Sequence, residues 1–289
     1  MIDLHTHTTA SDGALAPREL VERAHRLGIR TLSVTDHDTL AGVPAAAAAA
    51  AARSIELLPG TEITAVHEGR DVHMLAYFLD PDPAGLVPFL ERQRRDRTRR
   101  AREMSARLAA LGAPIDLEDL IAGAEAAGKA VARPTVARAL LAAGHVASLQ
   151  QAFDRWLAEG RPAYVPRTGA SPADVVRLVL RSGGVPVLAH PGLLRRDELI
   201  PELVQAGLGG IEVYHSDHDA GAQARYLRVA AQYDLAVSGG SDFHGEDHPR
   251  ARCFGRVGLP RERFMPFRRR VLEAHAAVRG QSPQPEAAR

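Results

Sequence analysis

Residues 2–13 read Ile2-Asp3-Leu4-His5-Thr6-His7-Thr8-Thr9-Ala10-Ser11-Asp12-Gly13. An apolar strand, Ile2–His5, opens the chain and runs directly into a pair of histidines two positions apart. In an extended chain that spacing turns both imidazoles to the same side, so the pair can chelate. Near the other end, Asp242 and His244 repeat the spacing.

Between these pairs the sequence alternates strand and helix signals. An amphipathic helix is predicted from Pro17 to Leu27, ended by Gly28, then a strand at Thr31–Thr35, an Ala-rich helix and a strand at Ile55–Leu58. Two strands, Ile63–Val66 and Val72–Leu79, join through Glu68-Gly69. The alternation resumes with a helix at Val175–Leu180 and a strand at Val185–Ala189. A helix at Leu199–Ala206, a strand at Ile211–Tyr214, a helix at Ala222–Tyr233 and a strand at Leu235–Ser238 follow. Such repetition favours an α/β fold with a parallel sheet or barrel. From Asp82 to Pro166 the strand signal vanishes, and helices broken at Gly112, Gly128, Gly144 and Gly160 predict an inserted helical subdomain. The expected organisation is a discontinuous catalytic barrel, 1–81 and 167–270, an insertion, 82–166, that caps the substrate, and a helix end with a disordered tail, 271–289.

His5 and His7, Asp36 and His37, His190, and Asp242 and His244 all fall at or just after the ends of apolar strands. In parallel α/β architectures those ends converge on one mouth, where ligands and catalytic groups collect. So many imidazoles and carboxylates gathered there would be poorly satisfied unless cations neutralise them.

Composition narrows the classes. Among 289 residues, 36 Lys+Arg against 35 Asp+Glu leave a net charge of +1, which excludes a generally polybasic nucleic-acid binder. Hydrophobic residues at 45% suit a globular core. The single cysteine, Cys253, excludes a thiolate zinc cage, so a metal site must draw on His, Asp and Glu. No signal peptide or membrane-spanning stretch is apparent, which predicts a cytoplasmic protein.

Leu4–Gly13, Thr35-Asp36-His37-Asp38-Thr39, Ala189-His190-Pro191 and Ser241-Asp242-Phe243-His244 resemble, in order, the four motifs of the PHP (polymerase and histidinol phosphatase) family. The resemblance covers roughly residues 1–80 and 165–260. It implies a distorted seven-stranded β/α barrel, three metal ions and hydrolysis of phosphate esters. By motif position it assigns His5, His7, Glu62 and Asp242 to one ion, and Glu62, His73 and His190 to a second. Asp12, His37 and His244 fall to a third. From the sequence alone Glu62 reads equally as a turn acid and His73 as a core histidine. Two to three divalent ions are expected, and imidazole with carboxylate suits Mn, Fe or Zn. A water held between two such ions, deprotonated near neutral pH, would attack phosphorus in line. Asp36, with Asp38, either orients ligands or is a solvated turn acid.

Ala132-Arg133-Pro134-Thr135-Val136-Ala137-Arg138-Ala139-Leu140 resembles a segment of one PHP branch, which contains nucleoside 3′,5′-bisphosphate phosphatases and 5′→3′ exonucleases acting on short RNA. That branch places an arginine over the substrate phosphate, which makes Arg133 the candidate contact; a guanidinium fork matches phosphate oxygens. The branch commonly has histidine where this chain has Thr135. His215, ending Ile211-Glu212-Val213-Tyr214-His215, either protonates the leaving oxygen or binds phosphate, and Arg167 borders the pocket. The run Glu91–Glu103, with seven arginines, reads as a solvated helix or as electrostatic steering toward the mouth. With aromatics at 4%, a stacking platform for long strands is not expected, nor is long-duplex DNA binding. The expected partner is a small phosphorylated nucleotide or a short RNA 5′ end, with inorganic phosphate as product and no membrane. Histidinol-phosphate hydrolysis is the alternative enzymatic reading, and a non-catalytic metal- or nucleic-acid-binding module is the alternative of another class.

Overall fold

A computed structural model describes residues 1–280. The expected tail lies, beyond Gly280, outside the described residues.

Three short parallel strands, β1 (Ile2–Asp3), β2 (Thr31–Leu32) and β3 (Glu56–Leu57), form one sheet. A second runs in the order β4 (Gly60–His67), β5 (Arg70–Tyr77), β6 (Val185–Leu188), β7 (Gly210–His215) and β8 (Ala236–Gly240). The ladders are therefore eight strand segments in two sheets. Hydrogen bonds tie the sheets together at two seams. At one, Leu4 N donates to Gly239 O at 3.1 Å and Asp242 N to His5 O at 2.8 Å. At the other, Asp38 N donates to Glu62 O at 3.0 Å, beside a parallel bridge between His37 and Glu62. Gly240 permits the first seam, because a Cβ there would lie 2.3 Å from the His5 backbone nitrogen.

The expectation of an all-parallel sheet is corrected in one place. β5 is antiparallel to both β4 and β6. The β4–β5 connection, Glu68-Gly69, has φ of 48° and 76°, which suits a two-residue hairpin and leaves no room for a crossover helix.

Helices α1 (Pro17–Arg26) and α2 (Val43–Ala51) cover the first sheet. On α1 the apolar stripe buries Leu20, Val21 and Ala24, with Pro17 in its first turn and the Glu19 carboxylate accepting from Ala16 N at 2.8 Å. The insertion contains α3 (Leu86–Ala110), α4 (Glu118–Ala126), α5 (Arg133–Ala142) and α6 (Leu149–Ala152), followed by a π-turn at Phe153–Leu157. The four glycine breaks fall just after helical segments. A separate core of Leu108, Ile121, Leu140 and Leu157 holds these helices together. Helix α3 spans both cores, burying Leu86 and Leu90 against the five-stranded sheet and Met104 and Leu108 in the second.

Helices α7 (Pro172–Arg181), α8 (Pro191–Leu194), α9 (Ile200–Ala206), α10 (Ala220–Gln232) and α11 (Arg261–Arg279) complete the chain. Ser171 and Asp219 cap α7 and α10 through their side chains. Helix α11 passes through position 270, where a boundary was expected, and buries Phe264, Phe267 and Val271 in the core of the five-stranded sheet. Among the described residues no helix is long and apolar enough to cross a membrane.

Candidate active site

The segments following β1, β2, β6 and β8 bring their polar residues to one mouth, where β4, β5 and β7 add three more. Glu62 on β4 is central. Its Oε2 lies 3.3 Å from His5 Nε2, 3.2 Å from His7 Nε2 and 3.2 Å from His37 Nδ1. Its Oε1 lies 2.8 Å from His73 Nδ1 and 3.1 Å from His190 Nε2. Asp242 Oδ1 faces the same two N-terminal imidazoles at 3.4 and 3.2 Å. Asp12 approaches His244 Nε2 at 3.4 Å and His37 Nε2 at 3.7 Å. All nine expected ligand residues thus converge. Eight of them do so in overlapping groups, His5, His7, Glu62 and Asp242; His7, Asp12, His37 and His244; His37, Glu62 and His73, while His190 joins through Glu62 Oε1 and a further group sets Glu212 and His215 beside His5.

The donor set fits divalent cations. His5 Nε2, both nitrogens of His7, His37 Nδ1 and Asp242 Oδ1 are buried without a hydrogen-bond partner, although carboxylate oxygens stand 3.2 to 3.8 Å from them. Buried polar atoms are almost always satisfied, so lone pairs aimed at common points instead of at one another mark ion positions. Cys253 contributes nothing.

Without ions, protons take up the charge balance. Burial opposes a charged His7, but the carboxylates of Asp242 and Glu62, each 3.2 Å from its Nε2, outweigh it and push the imidazole up to about 10. His5 is likewise raised well above its ordinary value, against burial, by Glu212, Asp242 and Glu62. His37 goes the other way, to about 3, because burial outweighs the attraction of Glu62 and Asp12, with His7 and Arg97 adding repulsion.

Strain concentrates here as well. Asp38, His190 and Asp242 hold φ of 52°, 26° and 52°, a region side chains avoid unless the surroundings enforce it. At His190 the enforcing contact is its N–H, which donates to Glu212 Oε2 at 2.8 Å.

Glu212 is the residue that the sequence reading missed. It is fully buried on β7, and its Oε1 lies 3.0 Å from His5 Nδ1. Accepting the Nδ1 proton leaves His5 Nε2 free to face an ion, the usual arrangement behind a ligating histidine. His5 pulls the Glu212 carboxyl down to about 2 despite the opposing effect of burial. The available signal was a carboxylate between Ile211 and Val213 in an apolar strand. Arg250 was also missed: it pairs with Asp242 Oδ2 and with Asp217.

His215 and Asp36 make their contacts inside the protein. His215 is buried, and its Nδ1 accepts from Asp217 N at 3.1 Å, so the ring proton sits on Nε2, 3.2 Å from Asp242 Oδ2. Both nitrogens are engaged inside the protein. Asp36 accepts from Thr8 N at 2.7 Å, Thr8 Oγ1 at 2.6 Å and Ser11 Oγ at 2.6 Å. Its carboxylate braces the loop that carries Asp12 and does not face the mouth.

Beside His37 and His73 opens a cleft of about 170 Å³, lined by Asp12 and by Arg97, Arg100, Arg133 and Arg167 and backed by Met104, Val131 and Phe153. The arginine-rich run is thus solvated along only part of α3, since Arg97 and Arg100 are buried and turned into the cleft. Asp38 is no solvated turn acid either. Arg97 Nε donates to its Oδ2 at 2.6 Å, and Arg167 Nη1 lies 3.4 Å from the same atom. Asp71 is the other counter-charge, 3.4 Å from Arg167 Nε and 3.5 Å from Arg133 Nη2. Four guanidinium groups face three carboxylates, Asp12, Asp38 and Asp71, which leaves an excess of positive charge for a phosphate group. Asp38→Ala would strand Arg97 and Arg167; it is expected to lower unfolding stability by about 3–5 kcal/mol, read from the urea midpoint at unchanged slope.

A histidine–carboxylate cluster at strand ends, beside a guanidinium-lined cleft, defines a metal-dependent phosphoric ester hydrolase. Known proteins are similar in the same terms. A profile of the PHP domain matches residues 3–156. A 3′,5′-nucleoside bisphosphate phosphatase of Chromobacterium violaceum is 36% identical over 250 residues, which cover 84% of this chain and 87% of that protein. The 5′-3′ exoribonuclease Rnm of Escherichia coli is 35% identical over 252 residues, 84% of each chain. Among solved structures, a Bifidobacterium adolescentis protein that carries the description metal-dependent phosphoesterase superposes with a TM-score of 0.84 at 36% identity, over 93% of this chain and 95% of that one. The chain belongs to the PHP family.

Proposed function

We propose that this phosphoesterase hydrolyses nucleotide phosphates: it removes the 3′-phosphate of a nucleoside 3′,5′-bisphosphate and trims short 5′-phosphorylated RNA. The observation that carries the reading is the guanidinium cleft lying against the ligand cluster through His37, His73 and Asp12. A nucleoside bisphosphate presents two anionic groups held apart by one sugar. The pair of sites matches it, with one phosphate at the cluster, the other at Arg133 and Arg167, and the nucleoside against Met104, Val131 and Phe153. The names of the Chromobacterium and Escherichia relatives point to the same substrate class.

Two to three divalent ions, Mn, Fe or Zn, would be held by His5, His7, Glu62 and Asp242, by Glu62, His73 and His190, and by Asp12, His37 and His244. Bound there they would supply Lewis acidity toward the phosphate oxygens and acidify water. The chain's own residues do the positioning. Glu212 fixes the His5 tautomer, His215 and Arg250 hold Asp242, and Asp36 sets the Asp12 loop. Arg133 and Arg167 orient the non-reacting phosphate. Residues 82–166 act as the substrate cap, and β3 with β4 counts as one bent strand of a distorted seven-stranded barrel.

Hydrolysis by Mn-reconstituted protein, read as phosphate release from adenosine 3′,5′-bisphosphate, AMP and histidinol phosphate and as mononucleotide release from a 5′-phosphorylated oligonucleotide, tests the reading. Preference for the bisphosphate and oligonucleotide is expected; preference for histidinol phosphate overturns it. Arg133→Met should raise KM for the bisphosphate by about 10–100-fold and change kcat little, the mark of lost charge-assisted binding. An unchanged KM removes Arg133 from the contact set.

A further inference from the structure

A second hollow, of about 270 Å³, lies on the other side of Arg133 and shares Arg133 and Asp71 with the guanidinium cleft. We propose that this groove is the subsite for the second nucleotide of a 5′-phosphorylated oligoribonucleotide, the one that keeps the phosphate after cleavage. The inference rests on the nucleotide phosphoesterase reading and extends it.

Size and position argue first. Ligand sites run to about 300–1,000 Å³, and the cleft, at about 170 Å³, holds only part of a substrate that extends past Arg133. A second hollow, separated by one arginine, suits a longer substrate. It also adjoins the reacting centre. Its floor includes Leu193 and Leu194 on α8, which starts immediately after His190. Asp71 in its wall is two residues from His73 on β5, hence on the same face of that strand.

The lining chemistry is that of a nucleotide. Tyr164 lies under the Arg133 guanidinium, whose carbon is 5.8 Å from the ring centroid, and Leu193 is 45% exposed, a large apolar side chain left open to solvent beside it. Together they offer a face for a base. Arg196 and Arg70 offer cations for a phosphodiester. Their present partners are surface carboxylates, Glu68 and Glu198 at 3.3 Å from Arg196 and Glu159 at 3.6 Å from Arg70. Exposed pairs of this kind hold weakly, so an incoming phosphate can displace them.

The bond chemistry links the two substrates. In either, water adds to phosphorus, the bond from phosphorus to the 3′-oxygen of the first nucleotide breaks, and that oxygen takes a proton. From the bisphosphate the product is inorganic phosphate. From the oligonucleotide the phosphate remains on the 5′-oxygen of the second nucleotide. The substrates differ only in what lies beyond the reacting phosphate, which is what the groove would hold.

The test compares kcat/KM of the Mn-loaded wild type, Leu193→Asp and Arg196→Glu on adenosine 3′,5′-bisphosphate and on the 5′-phosphorylated dinucleotide pApA. Both substitutions are at solvent-accessible positions outside the catalytic cluster. A fall of about 10-fold on the dinucleotide is expected, in the range measured for a lost base or phosphate contact, with the bisphosphate unchanged within about twofold. Equal losses on both substrates, or none on the dinucleotide, overturn the proposal. Anisotropy of a fluorescein-labelled 5′-phosphorylated trinucleotide, titrated with wild type and variants in EDTA, judges the groove without turnover. Absent hydrolysis with weakened trinucleotide binding in the variants sinks the hydrolytic reading and keeps the groove, whereas unchanged binding sinks the groove.

Discussion

Glu62→Gln is expected to lower kcat by more than about a thousandfold and to strip the protein of metal. The size follows from geometry. One carboxylate stands within 3.3 Å of five imidazoles, His5, His7 and His37 through one oxygen, His73 and His190 through the other. Glutamine keeps the shape but loses the charge, and its amide nitrogen offers protons where a lone pair is needed. Losing a group that merely orients a ligand already costs about 10–100-fold in metal affinity, and Glu62 belongs to two groups of ligands at once. Elemental analysis after gel filtration and kcat at saturating Mn²⁺ check it. Glu212→Gln gives the internal comparison, since Glu212 acts behind His5, and its loss should fall within about 10–100-fold. A Glu62→Gln enzyme that keeps its metal and comes within tenfold of wild-type turnover would remove Glu62 from the centre of the site.

The contrast between Glu62 and Glu212 also marks how far the sequence could be read. His5, His7, Asp242 and His244 were legible because a spacing of two at a strand end fixes where side chains point. Glu62 and His73 were recoverable only through family resemblance, since an acid after Pro59-Gly60-Thr61 and a histidine in an apolar strand each have ordinary explanations. Glu212 had no local signal beyond its apolar neighbours, because its role exists only once β7 lies beside the segment after β1, more than 200 residues away in sequence. Asp36 and His215 show the converse. Both sit in or beside motifs, yet the direction of each side chain depends on hydrogen bonds to Thr8, Ser11 and Asp217 that no spacing rule specifies. The α/β alternation was read correctly, but the antiparallel placing of β5 followed from the two-residue turn at Glu68-Gly69. The arginine run illustrates the same limit: composition gave its charge, and only the packing of α3 against Asp38 and Val165 separates Arg97 and Arg100 from their exposed neighbours.

Metal binding should raise the melting temperature by about 10 °C, and the gain should grow with pH. An ion at a thousand times its dissociation constant stabilises the folded state by about 4 kcal/mol, and a chain of this size gains about 2–4 °C per kcal/mol. The pH dependence has a definite sign. In the metal-free chain His5 and His7 are raised, His7 to about 10. Their pairing stabilises fully below the unfolded imidazole value of about 6.5 and is lost as pH rises toward about 10. Asp12, Glu62 and Asp242 are held low: burial opposes their charge, but the surrounding histidines outweigh it. Their contribution is present above the ordinary carboxylate range of about 4 and fades as pH falls through it. His37, lowered to about 3, has the opposite sign, its contribution lost as pH falls below about 6.5, so the metal-free chain is most stable near the ordinary imidazole value and weakens on the alkaline side. Each ion taken up displaces protons from these imidazoles, so uptake is favoured by the same rise in pH. Melting curves with Mn²⁺ and with EDTA at pH 5.5, 7.0 and 8.5 should separate progressively. Calorimetric titration in two buffers of different ionisation enthalpy should show protons released on binding. A separation that narrows with rising pH, or binding without proton release, would mean that His5 and His7 are already neutral in the metal-free chain and that the carboxylates around them carry no compensating charge.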